Sequence, residues 1–252
     1  MEVCVDSVAS SVNAEKGGAI RLELCGNFTE GGTTPSAGLL KSIKSRVKIP
    51  VYVMLRPRGG DFFYSDDEFE VVMEDLQILK ALGADGFVFG FLNSNGTVDK
   101  ERCKEVLEAV RPLPATFHRA IDMTVDIMSG LDTVIKLGFD RVLTSGGCST
   151  ALEGLPIITE MISHAKGRIT VMPGGGINEN NIERILKETK AREYHCSART
   201  TKPSLMQFQK SGVPMGAAYY PPEFSIKVTD VAKVQTFISL SQNCFMDMDC
   251  HG

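Results

Sequence analysis

Eight short apolar runs, each followed by an amphipathic helical pattern, constrain the fold of this chain more than any other feature. The runs read as strands at 2–5, 20–24, 51–56, 86–89, 116–118, 141–144, 169–172 and 194–196. Between them lie stripes spaced three and four apart, such as Phe69, Val72, Met73, Leu76 and Leu79, or Ile127, Met128, Leu131, Val134 and Ile135. Start signals agree: Thr34-Pro35 sets a cap before a first-turn proline, and Ser65…Glu68 and Thr150…Glu153 have capping-box spacing. Gly83 and Gly138 fall just past helix ends, where a left-handed residue is wanted. Strict β/α alternation implies a parallel sheet, and eight units favour closure over an open doubly wound sheet. The fold class expected is therefore α/β, a single (β/α)8 TIM barrel over residues 1–243, with a flexible tail at 244–252.

Loop lengths nominate a working face. Helix-to-strand connections are tight, as at 82–85, 137–140 and 166–168. Strand-to-helix connections at 25–34, 56–65, 89–97 and 197–229 are longer and rich in glycine and charge. Barrels of this kind work at the face built from their βα loops. The last loop is expected to fold over that face or to make a subunit contact, with Tyr219-Tyr220-Pro221-Pro222 as a contact element.

A net charge of −4, dispersed along the chain, argues against nucleic acid and against an anionic membrane surface. The first residues enter a strand pattern at once, so no secretory leader is expected, and no apolar run approaches the roughly 18–20 residues of a bilayer span. Seven cysteines, an odd number without C-x-x-C spacing, read as reduced thiols of a cytoplasmic protein.

Strand parity gathers the chemistry. Glu2, Cys4 and Asp6 share one face of the first strand, and Glu23 and Cys25 one face of the second. Charged residues suit the lumen better than the helix interface, and Met54, Arg56, His118 and Met172 follow by the same parity. Cys4 and Cys25 on adjacent strands suit a soft ion such as Cu(I), whereas a closed zinc site wants four donors. Buried free cysteine is also a common small hydrophobe.

Two further groups stand at strand ends. Gly174, Gly175 and Gly176 after the seventh strand, with Ser197 and Arg199 after the eighth, occupy the usual phosphate position of this fold. Arg56 and Arg58 could clamp an anion, and His118 could act as a general acid or base oriented by Asp122 or Glu23. An ion-pair network closing the lumen, for instance Arg56 with Glu23, is the plainer account of the same residues. Cys244, Met246, Met248, Cys250 and His251 add soft donors to the tail, and His164 and His195 have no partner that the pattern identifies.

Several blocks resemble the CutC family of copper homeostasis proteins. They are Glu2-Val3-Cys4-Val5-Asp6-Ser7, Leu22-Glu23-Leu24-Cys25, Glu30-Gly31-Gly32-Thr33-Thr34-Pro35-Ser36, Met54-Leu55-Arg56-Pro57-Arg58-Gly59-Gly60-Asp61-Phe62, Thr116-Phe117-His118-Arg119-Ala120, Leu143-Thr144-Ser145-Gly146, Met172-Pro173-Gly174-Gly175-Gly176 and His195-Cys196-Ser197-Ala198-Arg199. The resemblance implies a (β/α)8 barrel, a homo-oligomer (dimer or tetramer), cytoplasmic and also nuclear residence, and Cu(I) binding. The cysteines proposed as copper ligands in animal members match Cys4 and Cys25. Ile20, Gly147-Cys148 and the region after Arg199 depart from the family pattern. The leading expectation is a cytoplasmic Cu(I)-binding protein that buffers or handles copper. The alternative is a barrel enzyme acting on a small phosphorylated or anionic metabolite, with Glu23, Arg56, His118 and Asp122 as candidate catalytic residues. The sequence assigns no reaction.

Overall fold

In the computed structural model, which describes residues 1–210, 212–213 and 223–250, eight parallel strands form a nearly closed barrel. They are β1 (Glu2–Val5), β2 (Arg21–Leu24), β3 (Val51–Met54), β4 (Gly86–Phe89), β5 (Ala115–Phe117), β6 (Arg141–Thr144), β7 (Thr170–Pro173) and β8 (His195–Cys196). Hydrogen-bonded neighbours run in order from β7 down to β1 and then to β8. Between β8 and β7 the ring closes by packing: a Cβ on Gly174 would lie 2.5 Å from Leu143 Cδ1 and 3.2 Å from His195 Cβ. Only glycine permits that approach.

The helices α1 (Val8–Gly17), α2 (Ala37–Lys44), α3 (Asp66–Ala81), α4 (Lys100–Val110), α5 (Ile127–Leu137), α6 (Leu155–Ala165), α7 (Ile182–Thr189) and α8 (Val231–Cys250) surround it. Strands covered by helices outside and side chains inside are buried on both faces, and β2, β3 and β4 are buried at every position. Val3, Val5, Leu22, Leu24, Val51, Val53, Phe87 and Phe89 point outward into one continuous core. Cys25, Tyr52, Met54 and Val88 form a separate apolar cluster, the other parity of the same strands.

The Ser65–Glu68 capping box forms at α3, and Gly138 ends α5 with φ of 87°. Two other start signals are displaced. Ser36 rather than Thr34 caps α2, and Thr150 caps only a turn, because α6 begins after Gly154 with proline in its first turn. Ser36 accepts from the Leu39 amide, whereas α6 starts without a side-chain cap and its first-turn proline has no amide to satisfy.

The long last connection is not a featureless loop. It contains an antiparallel pair, β9 (Arg199–Pro203) and β10 (Ser225–Thr229), whose base is tied to α1 by Asn13 Nδ2 donating to Thr229 O at 2.9 Å. Tyr219-Tyr220-Pro221-Pro222 lies outside the described residues. The boundary anticipated after residue 243 falls inside α8, which runs to Cys250 and buries Cys244; His251 lies outside the described residues. Tyr194 holds this helix to the barrel, donating to Phe237 O and approaching Ser241 Oγ, each at 3.0 Å.

Candidate functional site

The lower lumen is plugged by ions. Arg21 pairs with Glu2 and, at 2.5 Å, with Glu193, while its guanidinium stacks 5.0 Å above the Tyr52 ring. Arg141 reaches Glu193 at 2.8 Å from the other side. The lumen network anticipated as the plainer account is thus present, but with Glu2, Arg21, Arg141 and Glu193 as its members. Arg56 makes no pair with Glu23; its guanidinium donates to the carbonyls of Glu30, Gly32 and Gly60 and packs over Phe62. It therefore holds two βα loops together. Arg58 turns away to Glu68 and Asp61.

Above the plug, at the C-terminal ends of the strands, opens a cavity of about 460 Å3. Cys4, Glu23, His118 and His195 line it together with Arg56, Arg119, Asp122, Gly175, Gly176, Ser197 and Arg199. Most of the candidates from all three sequence groups therefore share one chamber. Gly174 does not line it and acts in packing, and Cys25 lies just behind, its thiol 3.5 Å from Glu23 Oε2. A second depression, of about 400 Å3, involves Asp99 and Asp126, whose carboxylates are used as helix caps.

On one wall, Cys4, Glu23 and His195 each offer a donor atom, all within 4.8 Å of one another. The register explains the meeting: Cys4 pairs with Glu23 across β1–β2, and Glu2 with His195 across β1–β8. His195 Nδ1 lies 2.8 Å from Glu2 Oε1 and its Nε2 3.6 Å from Glu23 Oε2. A carboxylate behind one imidazole nitrogen orients the ring and leaves the other for a ligand. Burial opposes charge on His195, but Glu23 and Cys4 outweigh it and raise its pKa well above the usual value. Burial likewise works against the Glu2 carboxylate, yet His195 and Arg21 hold it at about 2. Burial and the neighbouring Glu23 push the Cys25 thiol up, and burial raises Glu23. Sequence pattern leaves His195 without a partner because its neighbours arrive from the other end of the chain. The usable signal was parity on the strand that closes against β1.

The opposite wall is set by His118 and Asp122. His118 Nδ1 accepts from the Ala120 amide at 3.2 Å, so the neutral ring carries its proton on Nε2, which has no acceptor. Burial, with Arg56 nearby, pulls its pKa down to about 3. A Cβ on Gly90 would sit 2.8 Å from Nδ1, so the ring lies flat against backbone that only glycine leaves open. Asp122 does not orient His118. It accepts from Thr144 Oγ1, the Ser145 amide and hydroxyl, the Gly147 amide and Arg119 Nε. Those contacts use its lone pairs and fasten the loop after β6.

Buried polar atoms are normally paired, so unpaired ones point to a missing partner. Among the described residues Glu23 Oε1, Arg56 Nε, His118 Nε2 and Arg199 Nε all lack one, and all four residues line this cavity. Ala198 takes φ of 46° between Ser197 and Arg199, a strained backbone of the kind kept at functional sites.

The CutC family model matches residues 1–200. A human protein named copper homeostasis protein cutC homolog is 58% identical over 96% of this chain and 89% of its own length. A Parabacteroides distasonis protein named as a CutC family member is 44% identical over 94% of this chain and 98% of its own. The crystal structure of a CutC copper homeostasis protein from Streptococcus agalactiae superposes with a TM-score of 0.74 at 34% identity, covering 78% of this chain and 97% of that one. The chain belongs to the CutC family.

Proposed function

We propose that the protein takes part in copper homeostasis by binding Cu(I) at the barrel mouth, with Cys4 and Cys25 as thiolate ligands and His195 as a nitrogen donor beside them. The observation that carries this reading is the convergence of Cys4, His195 and Glu23 donor atoms within 4.8 Å, with the Cys25 thiol 3.5 Å behind Glu23. Cu(I) is soft and accepts few ligands, so thiolate and imidazole suit it, while the Glu23 carboxyl is a harder donor that it uses least. Copper is cargo here, held in a half-enclosed chamber from which it can be handed on. Similarity to relatives named for copper homeostasis supports the same role.

Free thiols and Cu(I) both require a reducing compartment, which supports residence in the cytoplasm and, through the pores of its envelope, the nucleus. Among the described residues no helix is long and apolar enough to cross a membrane. The β9–β10 segment exposes Leu205, Phe208 and Ile226 and is the proposed contact face of a homo-oligomer. X-ray absorption at the copper edge tests the ligand set. Two sulfur scatterers and one imidazole are expected in the reconstituted protein; an all-oxygen-and-nitrogen shell would overturn the assignment.

A further inference from the structure

Copper accounts for one wall of the chamber and leaves the other unexplained. Facing the sulfur wall are donors with nothing to donate to. Among the described residues the amides of Gly175, Gly176 and Ile177 have no acceptor, and Gly175 and Gly176 take positive φ of 101° and 69°. Successive amides in such a turn form a concavity suited to an anion. Arg119, anchored by Asp122 and Ser145, lies against this turn, 3.4 Å from where a Gly175 Cβ would stand. From the end of β8, Arg199, stacked 4.4 Å over Phe28 and with one terminal nitrogen 3.9 Å from Asp6 Oδ2, keeps its buried Nε without a partner among the described residues, and Ser197 lines the same cavity.

His118 is the independent observation. It is 3% exposed, lines the cavity and holds an unpaired Nε2–H. Burial, with Arg56 beside it, keeps the ring neutral, so it serves as a donor to a neutral oxygen rather than as a cation. A volume of about 460 Å3 lies within the usual range for small-molecule sites. Amides and two guanidinium groups offer more donors than the two oxygens of a carboxylate can use, whereas a phosphate presents three oxygens.

We propose that this chamber binds a small phosphate monoester whose body carries a carbonyl or hydroxyl oxygen. Its phosphate rests on the 175–177 turn, Ser197 and the two arginines, and its body oxygen accepts from His118 Nε2. The chamber is shared with the proposed copper donors, but none of the residues assigned to the phosphate is one of them, so the proposal stands or falls without copper.

The test is isothermal titration of metal-free, chelator-treated full-length protein with inorganic phosphate and with dihydroxyacetone phosphate. Both bind, and the ester binds on the order of tenfold more tightly through its extra hydrogen bond. Arg199→Gln lowers both affinities by about tenfold or more. His118→Asn keeps an acceptor for the Ala120 amide and reduces the ester to the affinity of phosphate. If either variant does not fold, Ser197→Ala and His118→Ala replace it. No binding of either ligand at millimolar concentration overturns the proposal. So does equal affinity for the two ligands in the wild type, or binding unchanged in both variants.

Discussion

Replacing Asp122 with alanine tests whether this buried carboxylate is a fastener or a reacting group. Its side chain is 5% exposed and holds the loop after β6 through Thr144, Ser145, Gly147 and Arg119. Thr144 and Ser145 are fully buried, so truncation strands the Thr144 hydroxyl at 2.5 Å and the Ser145 amide at 3.0 Å without their acceptor. Each buried donor left unpaired costs about 2 kcal/mol. Gly147 and the half-exposed Arg119 can turn to water and add little. The total, about 4 kcal/mol, corresponds to a melting temperature lower by roughly 8–16 °C for a chain of this size. Differential scanning calorimetry of Asp122→Ala against wild type measures it, and Cu(I) stoichiometry at a temperature where the variant is folded should be unchanged. A shift under about 3 °C would refute the fastener role, because hydrogen bonds to a buried charge cannot be that weak. An unshifted melt would return Asp122 to the candidate catalytic residues.

Three other outcomes are expected. His118 titrates at about 3 in the fold against a usual 6.5, so between these values the unfolded chain holds the extra proton. Its contribution is full above about pH 6.5 and is lost as pH falls through about 3, at up to roughly 1.4 kcal/mol per pH unit. His118→Asn should flatten that part of the urea-stability profile, and an unchanged slope would count against a buried neutral ring. Gly90→Ala places a Cβ 2.8 Å from His118 Nδ1 and should lower stability by about 1–3 kcal/mol in denaturant titration; a neutral effect would mean the ring has room to move. Leu205→Glu with Phe208→Glu, both at exposed positions, should shift the mass measured by light scattering toward the monomer, and an unchanged mass would place the contact elsewhere.

The barrel is legible because each of its signals is local. Parity alone sends Glu2, Cys4, Glu23 and Cys25 inward; the β1–β2 register sets Cys4 beside Glu23, and Cys25 joins the inner cluster with Tyr52, Met54 and Val88. What the sequence hides depends on closure. His195 becomes a donor only because β8 returns to β1 and sets Glu2 opposite it, a pairing across 193 positions that no short pattern encodes. Arg56 reads as an anion clamp from its strand-end position, yet the loops that arrive around it offer three carbonyls that accept from both its terminal nitrogens. Asp122 reads as a partner for His118 at helical spacing, but a tight 3-10 turn over Arg119–Met123 aims it at the next strand instead. The continuation of α8 past residue 243 is hidden because Cys244 is buried by contacts from a distant helix rather than by local periodicity.

The most direct test of the central claim is an anaerobic Cu(I) titration against a competing chelator on wild type, Cys4→Ser, Cys25→Ser and His195→Ala. The account predicts tight stoichiometric binding in the wild type, lost in either cysteine variant and weakened in His195→Ala, with folding preserved. Affinity indifferent to all three substitutions would contradict it and remove the barrel mouth as the copper site.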